Sequence, residues 1–170
     1  MSIFEHNKGF TLVELVVYIG LASIVFLAVI GQQMTFLQMR VKHQTIAQVE
    51  QEGQFVMQLI TQTLRNAQAI NSPPAGSSAS ILSIDVFDAV DDPTVFDVSG
   101  GQIRLTQGSA AAVEITSGLL SVASFTIENV SRLDTPGSVR IQFTLSRINA
   151  GGVIPYAYEK TFYGTASLRP

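Results

Sequence analysis

Hydrophobic and polar positions divide the chain into three regimes. From Phe10 to Ile30 nearly every residue is apolar, and the only charge is Glu14. From Gly31-Gln32-Gln33 onward the apolar residues thin to a stripe at helical spacing, and polar side chains, many of them glutamine, fill the other faces. Beyond Asn71-Ser72-Pro73-Pro74 the period drops to two. The pattern therefore predicts a lipid-facing helix, an amphipathic helix and a set of strands, in that order.

The first regime is about 21 residues long, which is enough to cross a ~30 Å hydrocarbon core as a helix. A secretory signal has a shorter apolar stretch of ~7–15 residues followed by a small-residue cleavage site. Here the run is longer, no such site follows, and the sequence passes directly into polar helix, so the segment is expected to stay as an anchor. Residues 1–9 form a short polar leader with Lys8 at the membrane entry, while Arg40 and Lys42 lie beyond the exit. The charge asymmetry is mild, and with no second apolar span the expected orientation is leader inside, domain outside. Glu14 is the awkward residue. A carboxylate deep in a membrane helix costs ~2.5–3.5 kcal/mol and usually faces a partner. It can snorkel to the interface from one turn in, or it can meet a cation from another subunit, since the next basic residue along the chain is Arg40.

No proline occurs before Pro73, so nothing forces a break between Phe10 and Asn71, and Gly20, Gly31 and Gly53 are soft points only. The stripe Ile46, Val49, Val56, Ile60, Leu64, Ala67 requires a cover. A coiled coil would need regular heptads with charged flanking positions, and a membrane-surface helix would need more than Arg40, Lys42 and Arg65. The chain's own C-terminal strands are the expected cover. His43 is expected to face solvent.

Strands are expected at Ile81–Phe87, Gln102–Gln107, Ala112–Thr116, Ser121–Val130, Ser138–Ile148 and Tyr156–Leu168, with turns at Gly108-Ser109, Leu133–Gly137 and Asn149-Ala150-Gly151-Gly152. Val139, Ile141, Phe143 and Leu145 alternate with polar residues, as a sheet with one covered face requires. The expected fold class is α+β: a long N-terminal helix packed by its second half on a C-terminal antiparallel sheet. The expected division is 1–9 leader, 10–31 transmembrane helix, 32–71 amphipathic helix and 72–170 β head.

Composition narrows the chemistry. The 170 residues are 46% hydrophobic and 14% charged with formal net charge -3, and no Lys/Arg cluster invites nucleic acid. The absence of cysteine removes disulfides, thiolate metal sites and Cys nucleophiles. Only His6 and His43 exist, so no Ser–His pair falls among the strands, and Gly100-Gly101 and Gly151-Gly152 read as turns rather than phosphate loops. Asp85, Asp88, Asp91, Asp92 and Asp97 are dense, but their spacing does not match an EF-hand loop. Asp88, Asp91 and Asp92 are weak calcium candidates, with a solvated acidic loop the expected reading. Neither an enzyme nor a cofactor is expected.

Lys8-Gly9-Phe10-Thr11-Leu12-Val13-Glu14 resembles the processing motif of type IV prepilins and type II secretion pseudopilins. The resemblance implies cleavage between Gly9 and Phe10 by a membrane aspartyl peptidase, and N-methylation of Phe10. It also implies that Glu14, fifth in the mature chain, pairs with the N-terminal amine of a neighbouring subunit, each charge offsetting the other's desolvation. The helix-on-sheet arrangement is similar to the pilin architecture, and the ending Tyr158–Arg169 resembles that of minor pilins or pseudopilins of the J or W type. The absence of a C-terminal Cys pair departs from many type IV pilins. The implied role is structural, in a pilus, competence pilus or secretion pseudopilus. The implied partners are sibling subunits, the prepilin peptidase, an inner-membrane assembly platform and membrane lipid. A different class remains open: a single-pass membrane protein whose external β domain binds a ligand, or a calcium-dependent adhesin using the acidic loop.

Overall fold

The computed structural model describes residues 11–133, 135–149, 151 and 157–169. The leader with Lys8 and Gly9, then Phe10, and the loop residues Asp134, Ala150, Gly152 and Tyr156 lie outside the described residues. The chain divides into two compact units, Met1–Arg40 and Val41–Pro170, and helix α1 (Leu12–Arg65) contributes to both.

In the first unit, every large apolar side chain between Leu12 and Ile30 is 48–79% exposed. Exposure on all sides of an apolar helix is the pattern of a segment whose solvent is not water. Leu12–Gln33 is the one described helix long and apolar enough to cross a membrane, with mean hydropathy 2.6.

In the second unit α1 buries one stripe. Thr45, Val49, Gly53, Val56, Ile60 and Leu64 are buried at spacings of three and four, while His43 is exposed. Burying each of the larger members stabilises by roughly 1.5–3 kcal/mol. The helix is followed by β1 (Ala67–Ser72), β2 (Ser78–Ala79), β3 (Leu82–Val86), β4 (Thr94–Ser99), β5 (Gln102–Gln107), β6 (Val113–Glu114), β7 (Leu120–Asn129), β8 (Ser138–Arg147) and β9 (Glu159–Ser167), and buried side chains of β1, β3, β4, β5, β7, β8 and β9 share one apolar core with the stripe. The class is α+β with antiparallel pairing throughout, as the sequence pattern predicts.

Three details differ from that expectation. The strands form two sheets, β1-β3-β4-β5-β6 and β2-β7-β8-β9, rather than one. Hairpins β3 to β6 close one meander and β7 to β9 another, because short turns pair neighbours while nothing in the alternation tells β6 to pair with β7. Second, the helix ends at Arg65, where Asn66 N–H bonds the Thr63 carbonyl, and not near Asn71. Ala67 keeps the helical spacing after Leu64 but pairs as a strand residue with Val86, and Ile70 pairs with Ile84. Tertiary pairing overrides local propensity there. Third, β4 occupies part of the expected acidic loop. Its Thr94 and Phe96 are buried, and Asp97 lies opposite Arg104 on β5, with Nη2 to Oδ2 at 2.6 Å and Nε to Oδ1 at 3.0 Å.

The core centres on three phenylalanines in register, Phe125 on β7, Phe143 on β8 and Phe162 on β9. Their ring centroids are 6.4 Å and 5.2 Å apart. Phe162 presses on the helix at Gly53, where a Cβ would lie 2.1 Å from the ring. Gly53 is therefore a contact point rather than a soft one. Gly164 on β9 plays the reciprocal part, since a Cβ there would meet Met57 sulfur at 2.4 Å.

Polar side chains clamp both flanks of the stripe. On one flank Glu52 accepts from Ser117 N–H (2.9 Å), Ser117 Oγ (2.7 Å) and Gln48 Nε2 (3.1 Å), and Gln48 Oε1 accepts from Arg147 Nη1. On the other flank Lys160 Nζ lies 2.7 Å from Glu50 Oε1. The hydrogen bond from Lys160, reinforced by its charge, holds the Glu50 carboxyl below its ordinary value, and the same hydrogen bond raises Lys160.

Two predictions follow from the helix–strand contact. Gly53→Ala improves helix propensity by ~1 kcal/mol, but overpacking costs ~1–3 kcal/mol, so the substitution lowers the unfolding temperature of the full chain in micelles. Gly31→Ala, whose added Cβ would meet nothing within 4 Å, keeps the propensity gain and does not lower it. For Glu50, a depressed folded pKa means stability present above the ordinary 4.5 and lost as pH falls through the folded value. For Lys160, a raised pKa means stability present below the ordinary 10.5 and lost as pH rises through the folded value. The stability gap between wild type and Glu50→Gln, measured by thermal unfolding, should therefore be widest near neutrality and close below pH 4.5.

Candidate functional site

The site read from the sequence is the start of α1. Thr11 precedes the helix and acts as its N-cap: its carbonyl accepts Leu15 N–H at 3.1 Å, and its Oγ1 accepts Glu14 N–H at 3.3 Å. Glu14 therefore stands at the third helical position, in the Thr-x-x-Glu spacing of a capping box. A carboxylate in the first turn also favours the positive end of the helix dipole, by roughly 0.3–1 kcal/mol. Among the described residues the Glu14 side chain is exposed and has no ion-pair or hydrogen-bond partner. Leu12, Val13, Leu15 and Val16 around it are exposed as well.

The energetics of that arrangement favour insertion with the charge left unneutralised by its own chain. Each apolar side chain removed from water gains roughly 1.5–3 kcal/mol. A mid-membrane carboxylate costs roughly 2.5–3.5 kcal/mol, so two neighbours offset it. What remains is an acceptor at the end of an apolar helix, suited to a cation delivered from outside the chain. Lys8, Gly9 and Phe10 immediately precede Thr11 in sequence and lie outside the described residues.

The other candidates separate. Asp85 on β3 accepts from Asn71 Nδ2, and Asp97 on β4 is bound to Arg104. Asp92 Oδ1 accepts Val86 N–H at 3.1 Å, and Asp88 Oδ1 accepts Val90 N–H at 3.0 Å, so both brace the loop between β3 and β4. Among the described residues no group of three or more His, Asp or Glu side chains is placed to hold a metal ion, so Asp88, Asp91 and Asp92 do not form a ligand set. Sequence reasoning missed the Thr11 cap, for which Thr-x-x-Glu was a readable signal. It also missed Glu52, whose partner Ser117 lies 65 residues away and leaves no local trace.

Residues 6–30 match the family model described as the prokaryotic N-terminal methylation motif. No curated protein and no solved structure matches the chain. The match covers the leader junction, Phe10, Glu14 and the apolar run, and it supports a type IV pilin-like, prepilin-processed protein anchored in a membrane.

The cap makes its own prediction. Thr11→Ala should cost the helix start about 1 kcal/mol while Thr11→Ser retains it. Amide exchange at residues 13–15 in micelles should accelerate in the first variant and stay unchanged in the second.

Proposed function

We propose that this chain is a structural subunit, of minor pilin or pseudopilin type and akin to the J or W class, of a type IV pilus or type II secretion-type filament. It is made as an inner-membrane precursor, clipped between Gly9 and Phe10 by a prepilin peptidase and N-methylated on Phe10. An inner-membrane platform then assembles it with sibling subunits, and the β head stays on the extracytoplasmic side. The observation that carries the reading is a single one: the methylation motif at residues 6–30 runs without interruption into an apolar helix exposed on every side, whose one carboxylate lies four residues after Phe10.

The proposed mechanism follows from charge. Cleavage creates an ammonium at Phe10, and lipid disfavours an isolated ammonium and an isolated carboxylate alike. A neighbouring subunit's amine brought to Glu14 neutralises both, and truncating either partner leaves the other buried and unpaired at a cost of ~3–5 kcal/mol. The contact sets axial register, because Glu14 fixes which turn of one helix faces the end of the next. No chemistry is assigned to the head, where Asp88 and Asp92 brace a loop and Asp97 is bound to Arg104.

Mass spectrometry of the mature chain should give an N-terminus at methylated Phe10, and Gly9→Val should abolish it. Glu14→Gln should still be cleaved and inserted yet drop out of assembled filaments. A Gly9→Val chain that matures and enters filaments would overturn the reading in favour of a plain single-pass anchor carrying an external ligand-binding domain.

A further inference from the structure

Three grooves adjoin one another around the C-terminal end of α1, and all three are lined by Asn66. Two of them share Arg65 and Arg169, and among the described residues no Asp or Glu lines either. The third is lined by Asp88 and Asp91. Phe87 lines both the arginine side and the aspartate side and is 79% exposed, with Val90 beside it at 77%. The face therefore presents cations, then an exposed aromatic, then anions.

Elsewhere in the head, charges of opposite sign that come together form ion pairs: Asp97 with Arg104, Glu128 with Arg140, Glu50 with Lys160. Among the described residues Arg65, Arg169, Asp88 and Asp91 form none. Among the described residues no Asp or Glu side chain lines the groove that Arg65 and Arg169 share, and exposed Phe87 lies next to them. Burial of the aromatic is favourable, and the solvated charges on either side of it match a partner offering anions, an apolar contact and cations in the reverse order.

We infer that this face is a self-complementary docking surface for a second copy of the chain, with Phe87 near a twofold axis, the Arg65/Arg169 groove of each copy receiving the Asp88/Asp91 loop of the other. A twofold contact requires one patch to contain both halves of every pairing, and this patch does. A rotation about Phe87 exchanges the two ends, so both ion-pair clusters form at once while the aromatics meet. A partner with a uniformly acidic surface would satisfy the arginines and repel the aspartates, which is why a second copy is the better fit. The patch has one aromatic anchor and two charged clusters, which places it among small, transient interfaces whose occupancy depends on confinement to a common membrane. It uses no residue of the processing motif and stands apart from the filament reading.

The natural sequence has no cysteine, which makes the test direct. Ala89→Cys, exposed beside Phe87, is expressed as the full chain and treated in membranes with a short thiol-to-thiol crosslinker. A crosslinked homodimer is expected. Ile148→Cys, exposed at the end of β8 remote from the β9 terminus that leads to Arg169, should give little product. Reversing one end (Arg65→Glu with Arg169→Glu) or the other (Asp88→Lys with Asp91→Lys), each in the Ala89→Cys chain, should lower the dimer yield about tenfold through like-charge contact. Co-expressing the two reversed chains should restore it as a mixed dimer. The restoration separates a docking effect from a folding defect. Gly9→Val should leave the yield unchanged, so failure here and failure of the processing reading are told apart. Equal yields from Ala89→Cys and Ile148→Cys, products containing only a different protein, or no restoration in the mixed pair would each overturn the inference.

Discussion

One helix has to satisfy two solvents. Between Leu12 and Gln33 α1 presents apolar side chains around its whole circumference, and from Thr45 to Leu64 it presents them along a single stripe. The width of the apolar surface is what changes, and the surroundings each part demands change with it. Everything else in the chain answers one of these demands. The strands cover the stripe, and Thr11 caps the helix start by taking up the Glu14 and Leu15 N–H groups.

The cover is specific because it is tight. Three phenylalanines pack side by side across β7, β8 and β9, and the one on β9, Phe162, presses on the helix where Gly53 leaves the space for it. Glu52 on one flank and Glu50 on the other then fix the rotation of the helix about its own axis, each through a partner far along the chain. Packing sets the distance between the helix and the strands, and the polar clamps set the register. These two carboxylates reinforce the rotation that the buried stripe and the Gly53–Phe162 contact already define.

The alternation in Ser138–Arg147 and the stripe through Val49, Val56, Ile60 and Leu64 were legible because burial on one face imposes a period, and the observed elements follow that period closely. The motif at Gly9–Glu14 was legible for a different reason, since it lies in residues 6–30, whose match to the N-terminal methylation motif rests on residue types at adjacent positions rather than on a period. Residues 67–71 read as a continuation of the helix because they carry no strong period of two, and only pairing with β3 decides them. Thr94–Ser99 was hidden by its aspartate, whose charge reads as loop until Arg104 is placed opposite it. The split into two sheets had no sequence signal, because alternation says which face a residue occupies and not which neighbour it pairs with.

The distance in sequence between the helix and its cover has a consequence for biogenesis. Glu50 meets Lys160 across 110 residues, and Gly53 meets a ring on the last strand. A ribosome releases the anchor first and β9 well after the other strands, so the helix positions that meet β9 stay uncovered until late in synthesis. Contacts of such long separation close slowly, and an uncovered apolar stripe invites the wrong partners meanwhile. The head should thus depend on being held unfolded until its C-terminus has emerged. Loss of the final strand would leave a chain still able to enter the membrane while unable to complete a head.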